Sequence, residues 1–307
     1  MSSPKVLHFF FPVYFDTPSL IMLREKILAL LPAGKTAHFH VLDDSAGSDP
    51  ALLAVRALSG VTVTEMPYNL GHQRALVFGL RKFLKNFDDD ALVITMDSDG
   101  EDSPDHLAAL LQAYESSRSR PIVLAKRTHR QVTLTFQIFY FFYKRIFWAL
   151  TGTVIQTGNF ALCHANDLKR IIFHPYFDLS YASTLVALAP NLRFVPCARS
   201  ARFEGSSKMS FVSLAIHGVR MLMPFMDKIA VRGVLAFSFF FTIAFLSVAI
   251  LAISYLLGLF EVPAWALIGA LMTLILCFLS IFSFVVLMTI FVNVQSLALS
   301  RLESGRP

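Results

Sequence analysis

Charge is what the last quarter of this sequence lacks. Between Gly233 and Ser300 the only charged residue is Glu261, although the whole chain carries 27 Lys and Arg and 21 Asp and Glu. A chain that is 55% hydrophobic and keeps its charge in one part is built for two solvents, which excludes an ordinary soluble enzyme. Cysteine is also scarce. Cys163, Cys197 and Cys277 are far apart and form no CxxC pair, so neither a zinc ribbon nor a disulfide framework is expected, and a reducing compartment fits. Met1 to Lys5 lacks a basic leader followed by a small-residue cleavage site, so no signal peptide is read there and the first domain is expected in the cytoplasm. The net charge of +6, in a chain with lipid-spanning segments, points to an anionic membrane surface or a phosphorylated substrate rather than to nucleic acid.

The uncharged stretch Val234 to Leu259 spans roughly 39 Å as a helix, enough to cross a hydrocarbon core of about 30 Å with some tilt. A second uncharged stretch runs from Pro263 to Val292, and only Phe260, Glu261 and Val262 separate the two. This predicts a helical hairpin. Lys208, Arg220, Lys228 and Arg232 precede it, Arg301 and Arg306 follow it, and the turn has no Lys or Arg, so both termini are expected on the cytoplasmic side. Thr133 to Leu150, aromatic around Lys144 and Arg145, and Phe211 to Ile229, apolar at helical spacing, read as helices lying on the membrane. The expected organisation is a domain over 1–209, an amphipathic helix over 210–232 and a membrane hairpin over 233–307, with spans at about 234–259 and 263–292.

Upstream, Lys5 to Tyr14, His38 to Asp44, Val61 to Met66, Ala91 to Asp97 and Ile122 to Ala125 read as strands. Ser19 to Leu31, Pro50 to Leu58, Gly71 to Leu84 and Pro104 to Tyr114 alternate with them as helices. Such alternation predicts an α/β fold with a mainly parallel sheet and ligands beyond the carboxyl ends of its strands. Two acidic clusters fall there: Asp43-Asp44 after the second strand, and the run from Asp97 to Asp102 after the fourth. If the chain stays extended, Asp97, Asp99 and Glu101 project to one side as three oxygen ligands, a set suited to Mg²⁺ or Mn²⁺. The bland reading is a solvated acidic loop in which Asp102 and Ser103 cap the next helix. His72, beside Gly71, reads as a solvated helix-start residue.

In this order the motifs resemble the family-2 glycosyltransferases of the GT-A fold, in particular the polyprenyl-phosphate sugar transferases related to dolichol-phosphate mannose synthase. Pro12 to Asp16 looks like the opening Pro-x-Tyr-Asn-Glu, and Asp43-Asp44-Ser45 matches the second-strand Asp-Asp-x-Ser. Asn69, Gly71, Ala75 and Gly79 match Asn-x-Gly-x-x-x-Ala-x-x-x-Gly, and Asp97, Asp99, Glu101, Asp102 and Pro104 overlay Asp-Ala-Asp-x-Gln-Asp-Pro-Pro. Arg127 stands after the fifth strand, and Arg202, Gly205, Ser207 and Lys208 fit Arg-x-x-Gly-x-Ser-Lys. There are departures: Phe15-Asp16 replaces Asn-Glu, Glu101 replaces Gln, and Asp-x-Gly-Asp-Phe appears as Gln156, Thr157, Gly158, Asn159, Phe160.

The resemblance implies a nucleotide-sugar donor contacted by Asp16, Asp44, Asn69 and Asp97, a divalent ion on Asp97, Asp99 and Glu101, and a polyprenyl phosphate acceptor. It further implies transfer with inversion at the cytoplasmic face of the inner membrane, where a flippase could act downstream and the hairpins could associate into a homo-oligomer. A phosphate monoester is largely a dianion near pH 7, its second pKa being about 6, so no dedicated base is required. Arg127, Arg202 and Lys208 are the cations expected around the two phosphate groups, and Asp99 is central. Asp102 is open between base, substrate orienter and helix cap. A membrane-anchored nucleotide-sugar sensor or scaffold without turnover is the alternative, prompted by Gln156 and Asn159. A processive synthase fits poorly, because neither Trp148 nor Trp265 lies in a Gln-x-x-Arg-Trp element.

Overall fold

A computed structural model of the protein describes residues 6–128, 134–203, 211–258 and 263–303. Gly205, Ser207, Lys208 and the Phe260–Val262 connection therefore lie outside the described residues. The chain divides into two compact units, Met1–Phe142 with Val154–Pro224, and Tyr143–Thr153 with Phe225–Pro307.

The first unit alternates strand and helix as its apolar periodicity predicts: β1 Val6–Val13, α1 Thr17–Leu30, β2 Thr36–Asp43, α2 Leu52–Arg56, β3 Val61–Glu65, α3 His72–Leu84 and β4 Leu92–Thr95. A short 3-10 turn at Pro104–His106 leads into α4 Leu107–Glu115, then β5 Ile122–Arg127, and α5 Leu134–Thr151 begins in this unit. Strand β6 Thr157–His164, α6 Ala165–Ile171, α7 Tyr181–Leu188, β7 Leu192–Cys197 and α8 Phe211–Leu222 complete it. The sheet has the order β3-β2-β1-β4-β6-β5-β7. Neighbouring pairs are parallel except that β6 is antiparallel to both β4 and β5. That reversal places Thr157, Gly158 and Asn159, the first residues of β6, at the edge where β1, β2, β4 and β5 end.

Alternation along β1 sends Phe9 and Phe11 to one face, with Leu20, Leu23 and Ile27 of α1, and Phe10 to the other, with Leu76, Leu80 and Leu84 of α3. Each such side chain contributes about 1.5–3 kcal/mol on full burial. That is enough to carry a polar intrusion on the α3 face. His8, His38 and His40 sit together there; His8 Nδ1 is 3.2 Å from His40 Nε2, Phe87 stacks on His8 at 4.1 Å and Phe10 stacks on His40 at 4.4 Å. Burial, reinforced by its histidine neighbours, lowers His8 to about 4 and His40 to about 3. These rings fold neutral, whereas an unfolded chain protonates them below about pH 6.5. Their contribution is complete above that pH and is lost as the pH falls from 6.5 towards 4. Thermal unfolding of the detergent-solubilised chain should therefore weaken between pH 6.5 and 5.5, by on the order of 1 kcal/mol per pH unit for His40. The double variant His8→Phe/His40→Phe should show a flatter profile in that window; an unchanged slope would assign the acid sensitivity elsewhere.

In the second unit, α9 Met226–Leu256 and α10 Ala264–Glu303 pack along each other. Phe284 fits over Gly233, where a Cβ would lie 2.8 Å from its ring, and meets the Phe237 ring at 5.9 Å. Gly258, at φ 64°, follows the end of α9 in the left-handed conformation that glycine adopts without strain. The stretches Leu214–Leu256 and Ile268–Val286 are long and apolar enough to cross a membrane, and their apolar windows are unburied. The expected continuous helix from Phe211 to Ile229 is instead broken by a 3-10 turn at Met223–Phe225, because Pro224 supplies no N–H to a helical ladder. The C-terminal half of α5 belongs to this unit. Arg232 of α9 donates to the Trp148 and Ala149 carbonyls, at 3.2 and 2.9 Å, near the C-terminus of α5, where the Trp148 carbonyl also accepts the Gly152 N–H at 2.7 Å.

Candidate active site

The acidic run after β4 does not stay extended. Gly100 turns it at φ 77°, and the Phe203 ring packs so closely on this glycine that a Cβ would sit 2.4 Å away. Beyond the turn the chain pairs with the segment that follows β7. Phe203 N–H donates to the Asp99 carbonyl at 3.1 Å, Ser200 N–H donates to the Glu101 carbonyl at 2.9 Å, and Asp102 forms an antiparallel bridge with Arg199.

The alternation that would have aimed Asp97, Asp99 and Glu101 to one side is therefore lost. Among the described residues no group of three His, Cys, Asp or Glu side chains is arranged to hold a metal ion, so the expected three-ligand convergence is corrected. Glu101 turns to Arg199 and Arg202, the latter at 3.2 Å, while Arg202 also reaches Asp99 at 2.9 Å. What remains is a pair of acids. Burial and the neighbouring Asp97 charge push the Asp99 carboxyl up to about 6. Two carboxylates completed by water and diphosphate oxygens suit Mg²⁺ or Mn²⁺.

Arg127, the last residue of β5, donates to both oxygens of Asp102 at 3.1 and 3.2 Å and lies 3.6 Å from Asp97. It reaches them across Gly158. A Cβ there would lie 2.1 Å from the guanidinium, so this position is kept free of a side chain by the arginine. Burial raises the Asp102 carboxyl above the usual range against the pull of Arg127. Ser103, rather than Asp102, caps the following turn by accepting from Asp105 N–H at 3.3 Å. The cap reading of Asp102 is thereby set aside.

On its other side Asp97 receives the His72 ring at 2.7 Å and the Asn159 amide at 2.8 Å. Burial alone would raise this carboxyl, but the charge and hydrogen bond of His72, with Arg127 and Asn159, hold it well below the usual carboxylate range. His72 is correspondingly raised, the attraction of Asp97 outweighing its own burial. It is thus a partner of the site as well as the exposed first residue of α3.

The remaining expected residues spread along the same strand edge. Asp44 accepts the Leu70 N–H at 2.7 Å, and burial raises its carboxyl. Asp43 accepts from Ser45 and Gly47 and so shapes the turn after β2. Asp16 accepts from Ser98 Oγ at 3.2 Å, linking the end of β1 to the acidic run. Asn69 is exposed and accepts the Gly71 N–H at 3.0 Å, a local turn before α3.

Residues 12–172 match the family model described as glycosyl transferase family 2. The chain belongs to that family. The matched span holds Asp16, Asp44, the acidic run, Arg127 and Asn159 of this family 2 glycosyltransferase, whereas Arg199 and Arg202 lie beyond it and are brought in by β7. Among solved structures, glucosyl-3-phosphoglycerate synthase from Mycobacterium tuberculosis, with Mn²⁺, UDP and glucosyl-3-phosphoglycerate, aligns at TM-score 0.52 and 14% identity over 73% of this chain and 80% of that one. The same enzyme with UDP alone aligns at 0.53 and 15%, over the same shares. Staphylococcus aureus TarS 1–349 with UDP-GlcNAc aligns at 0.42 and 16%, over 74% and 66%. At these identities the likeness is one of fold, and it places the first unit among GT-A proteins. No curated protein matches the sequence significantly.

The residues that sequence reasoning missed are those that act on the acids from a distance. Arg199 carried no motif, and Gln73 lay inside one at an unspecified position. Asn159 was noticed only as a departure and Gly158 only as the retained glycine beside it, yet both touch the pairs at the centre. The signal was present as an undesignated strand, Thr157 to His164, whose polar start and apolar continuation fit a strand that begins at a ligand edge.

Proposed function

We propose that this family 2 glycosyltransferase transfers a sugar from a nucleotide-sugar donor to a polyprenyl phosphate, with inversion at the anomeric carbon, at the cytoplasmic face of a membrane. The observation that carries the reading is the acidic turn Asp97–Asp102 with Arg127 and Arg202 paired onto it, in a chain that also has two helices long and apolar enough to span a bilayer. The neighbouring glucosyl-3-phosphoglycerate synthase, crystallised with Mn²⁺, UDP-glucose and phosphoglyceric acid, supports a phosphate-bearing acceptor in this fold.

In the proposed reaction a phosphate oxygen of the lipid attacks C1 of the sugar as the bond to the nucleoside diphosphate breaks. The acceptor dianion is already nucleophilic, so the chain's task is to hold two anions together. Arg127 and Arg202, with Lys208, take the phosphate oxygens in this scheme. Asp97 and Asp99 are the residues that would hold a divalent ion, which supplies neutralisation of charge on the departing diphosphate. Asp16 and Asp44 face the nucleoside. Residues 1–209 form the catalytic part in this reading, with 210–232 and 233–307 attaching it to the membrane from the cytoplasmic side.

The test is incubation of membranes holding the chain with labelled nucleotide sugars, polyprenyl phosphate and Mn²⁺ or Mg²⁺, followed by extraction. A labelled lipid is expected from one donor and none after EDTA treatment. Donor binding without any labelled lipid would leave a sensor or scaffold in its place.

A further inference from the structure

Asn159 stands where the related motif has a second carboxylate, and its surroundings explain why. The residue is 4% exposed, and its carbonyl is pinned by the Thr95 hydroxyl at 2.5 Å. Its side chain ends a directional chain of hydrogen bonds. That chain begins at the Tyr181 backbone N–H, in the first turn of α7, a group that can only donate. It donates to Gln73 Oε1 at 2.8 Å, which leaves the Gln73 amide nitrogen facing Asn159 Oδ1 at 2.8 Å. Asn159 must then present its own amide nitrogen to Asp97, 2.8 Å away. Two amides that could each be turned either way are thereby fixed by one backbone group.

We infer that Gln73 and Asn159 are positioning residues, forming a one-way relay from the start of α7 that holds the Asp97 carboxylate in place. The inference rests on the reading of this site as a sugar-transfer centre. An aspartate at 159 would set two carboxylates 2.8 Å apart, and the amide of asparagine replaces that repulsion with a donor. His72 completes the arrangement from the exposed side: its Nε2 lies 2.7 Å from Asp97 Oδ1 and 2.7 Å from Asn159 Nδ2, so the three groups form one cluster, and the other Asp97 oxygen faces Arg127.

The relay makes a prediction that packing alone does not. Gln73→Glu preserves shape, but both of its oxygens accept; Asn159 must turn to donate to it and would then aim its own oxygen at Asp97. Gln73→Leu changes shape more and removes the direction without reversing it. With purified full-length chain and the donor found above, turnover of Gln73→Glu should fall on the order of ten- to hundred-fold, and that of Gln73→Leu by less than about five-fold. The same order is expected in calorimetric affinity for UDP in the presence of Mn²⁺. Asn159→Asp should likewise fall below Asn159→Ala, and this pair decides the matter if Gln73→Glu does not fold. Wild-type transfer with Gln73→Leu as impaired as Gln73→Glu, or Asn159→Ala as impaired as Asn159→Asp, would overturn the relay alone. A wild-type chain that transfers from no donor would overturn the reading of the function itself.

Discussion

Asp99→Ala removes sugar transfer, by about a thousand-fold or more, while expression and membrane insertion stay at wild-type levels. The carboxylate sits at the tightest point of the acidic turn, where burial and Asp97 push it up to about 6 and Arg202 holds it at 2.9 Å. The backbone of the turn is fixed independently, through the Phe203 N–H on the Asp99 carbonyl and the conformation of Gly100. One side-chain contact does hold the loop, the Glu101 N–H on Asp99 Oδ1 at 3.0 Å. Asp99→Asn keeps an oxygen for that contact and removes only the charge. It should lose activity almost as completely as the alanine variant, measured as labelled lipid formed per protein. Retention of a tenth or more of the turnover in Asp99→Asn would detach the reaction from this carboxylate.

Gly158→Ala should lower turnover on the order of a hundred-fold, although it adds only one uncharged methyl group. That methyl would meet the Arg127 guanidinium at 2.1 Å, and the end of a long side chain yields before the central strand does. Displacement strips the 5% exposed Asp102 of its counterion, so stability falls as well, by about 3–5 kcal/mol unless the carboxyl takes up a proton. Arg127→Ala should have the same two consequences. Because both substitutions remove one interaction, the double variant should be no worse than either alone, and the cycle should show coupling of nearly the whole effect. Additive losses would mean that Gly158 matters for a reason other than Arg127.

Much of the fold was legible because the first four strands are short apolar runs bounded by turns, and their helices carry regular apolar spacing. Strand β5 is simply longer than it reads, ending at Arg127. Strands β6 and β7 escaped for physical reasons. Strand β6 opens with Thr157, Gly158 and Asn159, which serve the site and not the core, and β7 is an edge strand carrying Arg193 and Pro196, residues that an interior strand would exclude. The acidic run was equally plain in the sequence, but its geometry was not. Alternation holds only while a chain is extended, and Gly100 ends that at the fourth residue of the run. What then fixes the side chains is pairing with residues 199 to 203, a contact with no local signature. The role of His72 was missed for the same reason, since its partner Asp97 lies 25 residues away in the turn after β4.

The four carboxylates of the acidic turn meet three guanidiniums and one imidazole, all contributed by the chain itself. Such a cleft is nearly electroneutral before anything enters it. Capture of a polyanion is then a change of partners and not attraction into a bare basic funnel: each arginine that turns to an incoming phosphate releases an acid it had been shielding. Association of this kind gains little from long-range steering and fades only slowly as ionic strength rises, so the cleft should admit its ligand almost equally well in dilute buffer and in concentrated salt.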